Sequence, residues 1–223
     1  MKGVYGLKTE ISDIFDRFGA AGIGLEEHQC ELMNQMILFL QDYCSRVNLT
    51  AIRDREGITE KHLIDSILPL GLWEVPKGTK CLDIGTGAGF PAVPMMIYRG
   101  DLRFTLLDSQ RKRTDYLSLL TEKLGLKAEI IHGRAEELGR KNGYKGSYGM
   151  VTARAVADLA TLIKYAAPFL KSGGVFLAMR GSKDEMDDEV VKVGGRVGLE
   201  VVDKFFYELP GGDGRRLVVF RKG

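Results

Sequence analysis

Hydrophobic positions along the chain fall into two regimes. Through roughly the first third they recur at helical spacing, and from Thr79 onward short apolar runs alternate with amphipathic stretches. Ile11, Ile14, Phe15 and Phe18 predict a first helix over residues 9–18, ended by Gly19, Gly22 and Gly24. A longer helix is predicted over residues 25–47. Met33, Met36, Ile37, Leu40, Cys44 and Val47 form its apolar stripe, and Glu26 and Glu27 suit its positive end. A third helix should start at Thr59 as N-cap, with His62, Asp65 and Ser66 on one face and Leu63, Ile64, Ile67 and Leu68 on the core side. Residues 73–78 read as a linker. The expected organisation is a helical extension, residues 1–77, followed by a second domain, residues 78–223.

In the second domain the strand candidates are residues 79–84, 103–108, 127–132, 148–153, 174–180, 199–207 and 215–221. Tyr116, Leu117, Leu120 and Leu124 mark one intervening helix, Leu159, Leu162, Ile163 and Ala166 another, and Met186, Val190, Val193 and Val197 a third. Such alternation predicts an α/β fold with a mostly parallel sheet covered on both faces. The last two strands are separated only by Glu208-Leu209-Pro210-Gly211-Gly212-Asp213-Gly214, too short for a crossover, so they must form an antiparallel hairpin.

The first strand candidate runs into Cys81-Leu82-Asp83-Ile84-Gly85-Thr86-Gly87-Ala88-Gly89-Phe90-Pro91. Gly85, Gly87 and Gly89 remove the Cβ atoms that would keep a ligand off the backbone, and they permit positive φ. Pro91 suits the first turn of a helix. Loop amides and helix start would then face a small anionic or polar ligand. The spacing differs from the dinucleotide fingerprint G-x-G-x-x-G. Asp108 ends the second strand about 20 residues on, where a ribose-binding acid belongs in nucleotide folds. It could equally cap the helix that follows. Loop and acid by themselves leave NAD open.

Composition narrows the picture modestly. The chain of 223 residues has a formal net charge of +2, so any nucleic-acid surface must be local. Its three cysteines, Cys30, Cys44 and Cys81, contain no CxxC pair, which argues against a zinc site or disulfide framework and fits a reducing cytoplasm. No uncharged apolar run is long enough to span a membrane, and the N-terminus reads as no signal peptide.

Glycine spacing, leading acid and terminal hairpin together resemble class I S-adenosylmethionine-dependent methyltransferases, which have a Rossmann-like seven-stranded mixed sheet. Asp83 could order the loop or engage the cofactor's ammonium group, the glycine loop would take the methionine part, and Asp108 the ribose hydroxyls. A narrower resemblance rests on Asn48-Leu49-Thr50-Ala51, Lys61-His62-x-x-Asp65-Ser66, the loop through Gly89-Phe90-Pro91, Leu106-Leu107-Asp108-Ser109, Lys112-Arg113, Arg134-Ala135-Glu136 and Ala153-Arg154-Ala155. This set is similar to the glucose-inhibited division protein B (RsmG) family of bacterial 16S rRNA guanine-N7 methyltransferases. It covers nearly the whole chain. Many members carry glycine where this chain has Ala92. The resemblance implies S-adenosylmethionine as cofactor, with contacts at Gly85, Phe90, Ala135, Glu136 and Arg154. It also implies 16S rRNA of the small ribosomal subunit as partner, no metal, and a cytoplasmic monomer. Glu136 could also be only a helix-start acid, and Arg154 could pair with a local carboxylate.

Guanine N7 carries a free lone pair, so no general base is named and catalysis can come from positioning. The Asn/Asp-Pro-Pro-aromatic motif of exocyclic-amino enzymes is replaced here by Thr152-Ala153-Arg154-Ala155, and Cys81 stands too early to serve as a C5 nucleophile. RNA would need local cations. Candidates are Arg53, Arg55 and Lys61 in the extension, Arg111, Lys112 and Arg113 after the second strand, Arg140, Lys141 and Lys145 in a glycine-rich loop, and Arg180 and Lys183 after the fifth strand. A small-molecule methyltransferase or a non-catalytic cofactor-binding module is the alternative.

Overall fold

The computed structural model describes residues 3–154, 157–182 and 188–223. Ala155, Lys183 and Met186 lie outside the described residues. Helices α1 (Gly3–Ala20), α2 (Glu27–Cys44) and α3 (Arg55–Ile58) lead into a π-helical segment (Thr59–Ile64) and α4 (Asp65–Leu72). The order then is β1 (Lys80–Ile84), α5 (Ala92–Tyr98), β2 (Arg103–Asp108), α6 (Arg111–Lys123), β3 (Glu129–His132), α7 (Ala135–Leu138), β4 (Tyr148–Arg154), α8 (Leu159–Ala166), β5 (Leu170–Gly181), α9 (Asp188–Arg196), β6 (Leu199–Glu208) and β7 (Gly214–Lys222). The strands form one 7-stranded sheet in the order β3-β2-β1-β4-β5-β7-β6. The pairs from β3 through β5 are parallel. β7 runs antiparallel to both β5 and β6.

Strand periodicity sorts side chains onto two faces. Leu82, Val151, Ala153, Phe176, Ala178, Val218 and Phe220 pack under α7, α8 and α9. Cys81, Leu106, Met150, Leu177, Leu217 and Val219 face the other way, into a cluster that also holds Ile14, Phe18, Met33, Met36, Ile37 and Leu40 of α1 and α2. The helical extension thus shares a core with one face of the sheet. Met33 and Met36 are fully buried in it, as are Cys30 and Cys81, and Cys44 is buried. Burial pushes the Cys81 thiol well above its usual range.

Local chemistry moves some predicted boundaries. Asp54, not Thr59, caps the third helix: its carboxylate accepts from the Gly57 N–H at 2.7 Å. The Thr59 hydroxyl instead donates to the Arg55 carbonyl at 2.9 Å, one turn back inside the helix. Pro91 sits at the N-cap of α5 rather than its first residue. The segment read as a linker is anchored to the sheet. Val75 is buried, its carbonyl accepts from Arg99, and the Gly78 N–H donates to Asp101 at 2.9 Å. Gly78 itself has φ of 72°.

Tyr116 of α6 is fully buried between Phe39 and Tyr43, with ring centroids at 5.6 and 4.9 Å. Its hydroxyl finds no hydrogen-bond partner among the described residues. An unsatisfied buried hydroxyl costs about 1–3 kcal/mol. Tyr116→Phe, which keeps the packing, is therefore expected to stabilise the fold by about 1 kcal/mol and raise Tm by roughly 2–4 °C. Calorimetric melting of the two proteins checks this, and a lowered Tm would count against it.

Candidate active site

The glycine loop leaves the C-terminal end of β1 between β2 and β4, the two strands flanking β1 on either side. Gly85, Gly87 and Gly89 have φ of 68°, 57° and 92°. A Cβ on Gly89 would stand 2.8 Å from Val93 Cγ2, whereas one on Gly87 would meet nothing closer than 3.8 Å and project into open space. Asp108 at the end of β2 holds the loop. Its Oδ2 accepts from the Gly87 N–H at 2.9 Å, its Oδ1 from the Gln110 N–H at 2.9 Å, and Arg113 stands at 3.4 Å. Loop anchor and helix-start acid are therefore one residue, although Gln110 is the N-cap of α6.

A cavity of about 220 Å³ opens beside this loop. Gly85, Asp108, Ala135, Glu136 and Tyr165 help to line it. Asp108 uses three of roughly four acceptor positions on protein donors, leaving capacity for one ligand hydroxyl. Glu136 is half-exposed and stands 3.5 Å from Arg134, so it reaches the rim. Ala135 is buried and gives the wall.

Asp83 points to the face shared with the extension and is fully buried. The register sets it opposite Thr152 on β4, whose hydroxyl donates to Asp83 Oδ1 at 2.7 Å. Asp83 Oδ2 is buried close to the Thr86 hydroxyl and the Ala92 N–H, yet among the described residues neither Oδ2 nor the Thr86 hydroxyl has a partner in full hydrogen-bond geometry. Burial pushes the Asp83 carboxyl up to about 7, against the opposing pull of the Thr86 hydroxyl, the Thr152 hydroxyl, the Arg154 guanidinium and the Ala92 N–H. An orphaned acceptor below an open glycine loop fits a ligand that brings its own cationic donor, as an S-adenosylmethionine ammonium group would. Within the loop, the positive-φ glycines supply the close backbone approach. The residues present fit that cofactor.

A second cavity, about 320 Å³, lies over the ends of β4, β5 and β7, walled by Lys61, His62, Asp65, Arg154, Arg180 and Arg215. Arg154 is its keystone, with a side chain 16% exposed. It donates to the Lys61 carbonyl at 3.0 Å and to His62 Nδ1 at 3.1 Å, and it stands 3.3 Å from Asp65 Oδ2. Its guanidinium lies 5.2 Å from the centre of the Phe90 ring, on which His62 also stacks at 4.5 Å. Burial pulls Arg154 below its usual value, against Asp65 and Asp83. His62 Nδ1 stands between the Arg154 guanidinium at 3.1 Å, which can only donate, and the Lys61 carbonyl at 3.0 Å, which can only accept, while its Nε2 lies 2.8 Å from the Thr50 hydroxyl. Burial, reinforced by the Arg154 charge, lowers His62 to about 4 and keeps it neutral. Gly85 lines the first cavity and Phe90 packs on the wall of the second, so one loop connects the two.

The structure thus brings Asp108, Ala135 and Glu136 together at one cavity and Lys61, Arg154 and Arg180 at the other. It ties Arg53 and Arg55 elsewhere. Arg53 donates to the Cys44 carbonyl at 2.6 Å, and Arg55 to Asn34 at 2.7 Å and the Glu10 carbonyl at 2.9 Å. A long cation beside three helices is most useful there as a clamp on unsatisfied carbonyls. Arg111 pairs with Asp115 at 3.1 Å, and Lys112 is exposed on the same turn. Arg180 donates to the Ala157 carbonyl at 2.7 Å, linking the two cavity walls. Sequence reasoning did not find Tyr207 and Arg215, which both reach Asp65, or Tyr165 on α8. The signal for Arg215 was available: an antiparallel strand starts at the edge where its parallel neighbours end.

Known proteins share this architecture and, in part, this sequence. A methyltransferase from Pyrococcus furiosus superposes with a TM-score of 0.60 at 16% identity, covering 85% of this chain and 97% of that one. M. jannaschii TYW2 in complex with AdoMet superposes with a TM-score of 0.57 at 12% identity, covering 80% of each chain. These likenesses establish the class I methyltransferase fold. Ribosomal RNA small subunit methyltransferase G of Lactococcus lactis is 38% identical over 204 residues, 90% of this chain and 85% of that protein. The protein of the same name from Lactobacillus delbrueckii subsp. bulgaricus is 44% identical over 177 residues, 78% of this chain and 74% of its own. The GidB family model, described as rRNA small subunit methyltransferase G, matches residues 29–205. With that match spanning the loop, Arg154 and every lining residue of the two cavities except Arg215, the chain belongs to the GidB family.

Proposed function

We propose that this protein is an S-adenosylmethionine-dependent methyltransferase acting on N7 of a guanine in the 16S rRNA of the small ribosomal subunit. One observation carries the choice of N7: among the described residues, the substrate-side cavity offers no uncommitted base. Of its titratable groups, Lys61 is paired with Asp213 at 2.8 Å. His62 uses both ring nitrogens. Asp65 is shared among Arg154, Tyr207 and Arg215. An exocyclic amine or a hydroxyl must lose a proton as it is alkylated; guanine N7 need not. The family membership and the S-adenosylmethionine fold support the same reading.

When bound, the cofactor supplies an electrophilic methyl group on sulfonium. Everything else falls to this chain's residues. In this reading Asp83 and the Gly85–Gly89 amides hold the methionine part, while Asp108 and Glu136 take ribose hydroxyls and Ala135 packs on the nucleoside. The Phe90–Arg154–His62 stack presents a flat, rigid wall at the junction of the cavities, where a planar purine can be held in line with the methyl group. Arg180 and Arg215 supply positive charge for a flanking phosphate. The protein acts as a cytoplasmic monomer without a metal.

Three measurements test this. Labelled cofactor incubated with small subunits that lack the modification should yield labelled 7-methylguanosine; another methylated nucleoside, or none, would refute the N7 assignment. Gly87→Val should weaken cofactor binding at least tenfold while costing about 1–3 kcal/mol in stability for a β-branched residue at φ of 57°. Equal affinity by calorimetry would remove the loop from the site. The third concerns pH. Asp83 in the free protein is raised to about 7, and a bound ammonium group favours its ionised form. Binding must therefore release a proton below pH 7, and affinity should fall by about tenfold or more between pH 7.5 and 5.5. Asp83→Asn should bind weakly at every pH, with this slope gone. A flat wild-type profile would show that Asp83 does not meet the ammonium group.

A further inference from the structure

Cations at the catalytic edge of the sheet are largely committed to protein partners: Arg154 to Asp65, Lys61 to Asp213 and Arg113 to Asp108. The opposite edge is different. There a groove of about 400 Å³ runs between the α7–β4 loop, the end of α8 and the chain end of β7. Arg140, Lys145, Lys164 and Lys222 line it, together with Pro168, and no carboxylate is among its lining residues. Arg140, Lys145 and Lys164 are exposed, and none of them makes an ion pair among the described residues. Lys222 is held in place by the Val197 carbonyl at 2.5 Å. Four like charges brought together from three segments, the α7–β4 loop, α8 and β7, repel one another with no carboxylate among the groove's lining residues. An anionic partner would offset that repulsion.

We infer that this groove is a second RNA-contact site, binding backbone phosphates of the substrate rRNA on the edge of the sheet away from the reacting guanine; the inference rests on the rRNA reading of the catalytic cavity. β4 spans 7 residues from one edge to the other, about 20 Å at roughly 3.3 Å per residue. A free nucleotide cannot bridge that span while its guanine occupies the catalytic cavity, whereas a longer RNA can. The groove is shallow and lined by flexible cations rather than by a fork of fixed donors, which suits phosphate contacts that position without reading sequence. It therefore favours an RNA long enough to reach both edges, while the catalytic cavity selects the base.

The test is the double variant Lys145→Glu/Lys164→Glu, assayed with small subunits lacking the modification. Its KM for the particle should rise at least tenfold at about 150 mM salt, with cofactor affinity and kcat retained. The slope of log(kcat/KM) against log salt should fall by about 2, one per lost phosphate contact. Lys145→Arg/Lys164→Arg should restore wild-type values. An unchanged KM and an unchanged salt slope would overturn the site. If the double variant melts early, Lys164→Gln, on an exposed helix position, is read instead, with a slope change of about 1 expected. Should the wild type transfer no methyl group to the particle, the functional reading fails. The groove is then judged separately by filter binding of a 16S rRNA fragment to wild type and variant: equal binding overturns it, and a salt-dependent loss supports it. Binding to an acidic ribosomal protein in place of RNA would also overturn it.

Discussion

The buried carboxylate of Asp65 is the interaction on which the catalytic edge depends. It is 4% exposed and receives Arg154 and Arg215 on Oδ2 and the Tyr207 hydroxyl on Oδ1. A charge this deep is tolerable only when paired and hydrogen-bonded, and removing one partner of such a set costs about 3–5 kcal/mol. The consequence is mechanical. The cluster joins the start of α4 to β4, β6 and β7, four segments distant in sequence. The β6–β7 turn is fastened to the same helix from outside, by Glu60 accepting from the Gly211 N–H at 2.7 Å and by the Lys61–Asp213 pair. The wall of the substrate cavity is therefore made by the extension and the terminal hairpin acting together.

Placement on a single face explains why these groups meet. Asp83, Thr152, Arg154 and Arg215 all point to the face that carries the extension, because each is an even number of residues from an apolar neighbour in that core. The opposite face is filled by α7, α8 and α9, which leaves the first cavity between the β2–β3 strand ends and α8. A glycine loop then has room to reach from Gly85, at the nucleoside side, to Phe90, under Arg154. Charge follows the same division. At the catalytic edge it is largely organised by pairing, whereas the far-edge groove gathers Arg140, Lys145, Lys164 and Lys222 with no carboxylate among its lining residues.

Much of this was legible without coordinates. All seven strands fall where the apolar runs put them, with β2 matching residue for residue and β5 longer at its start by four. The antiparallel hairpin followed from the length of one loop. Where the reading slipped, a local competitor won. Asp54 outcompeted Thr59 because an acid one turn earlier could already satisfy the helix N–H groups. Arg53 and Arg55 look like free surface cations in sequence, yet both close onto backbone carbonyls of the extension.

By itself the sequence determined the elements, the glycine loop and its leading acid, and the family, because these depend on spacing and residue type within short windows. Which residues share a cavity was decided by the tertiary structure. Tyr207 and Arg215 carry no local signal that connects them to Asp65, about 140–150 residues earlier. The antiparallel course of β7 alone carries Arg215 to the edge where β4 and β5 end. The protonation states belong to the same category. Asp83 rises to about 7 and His62 falls to about 4 through burial, a quantity that a linear sequence does not contain.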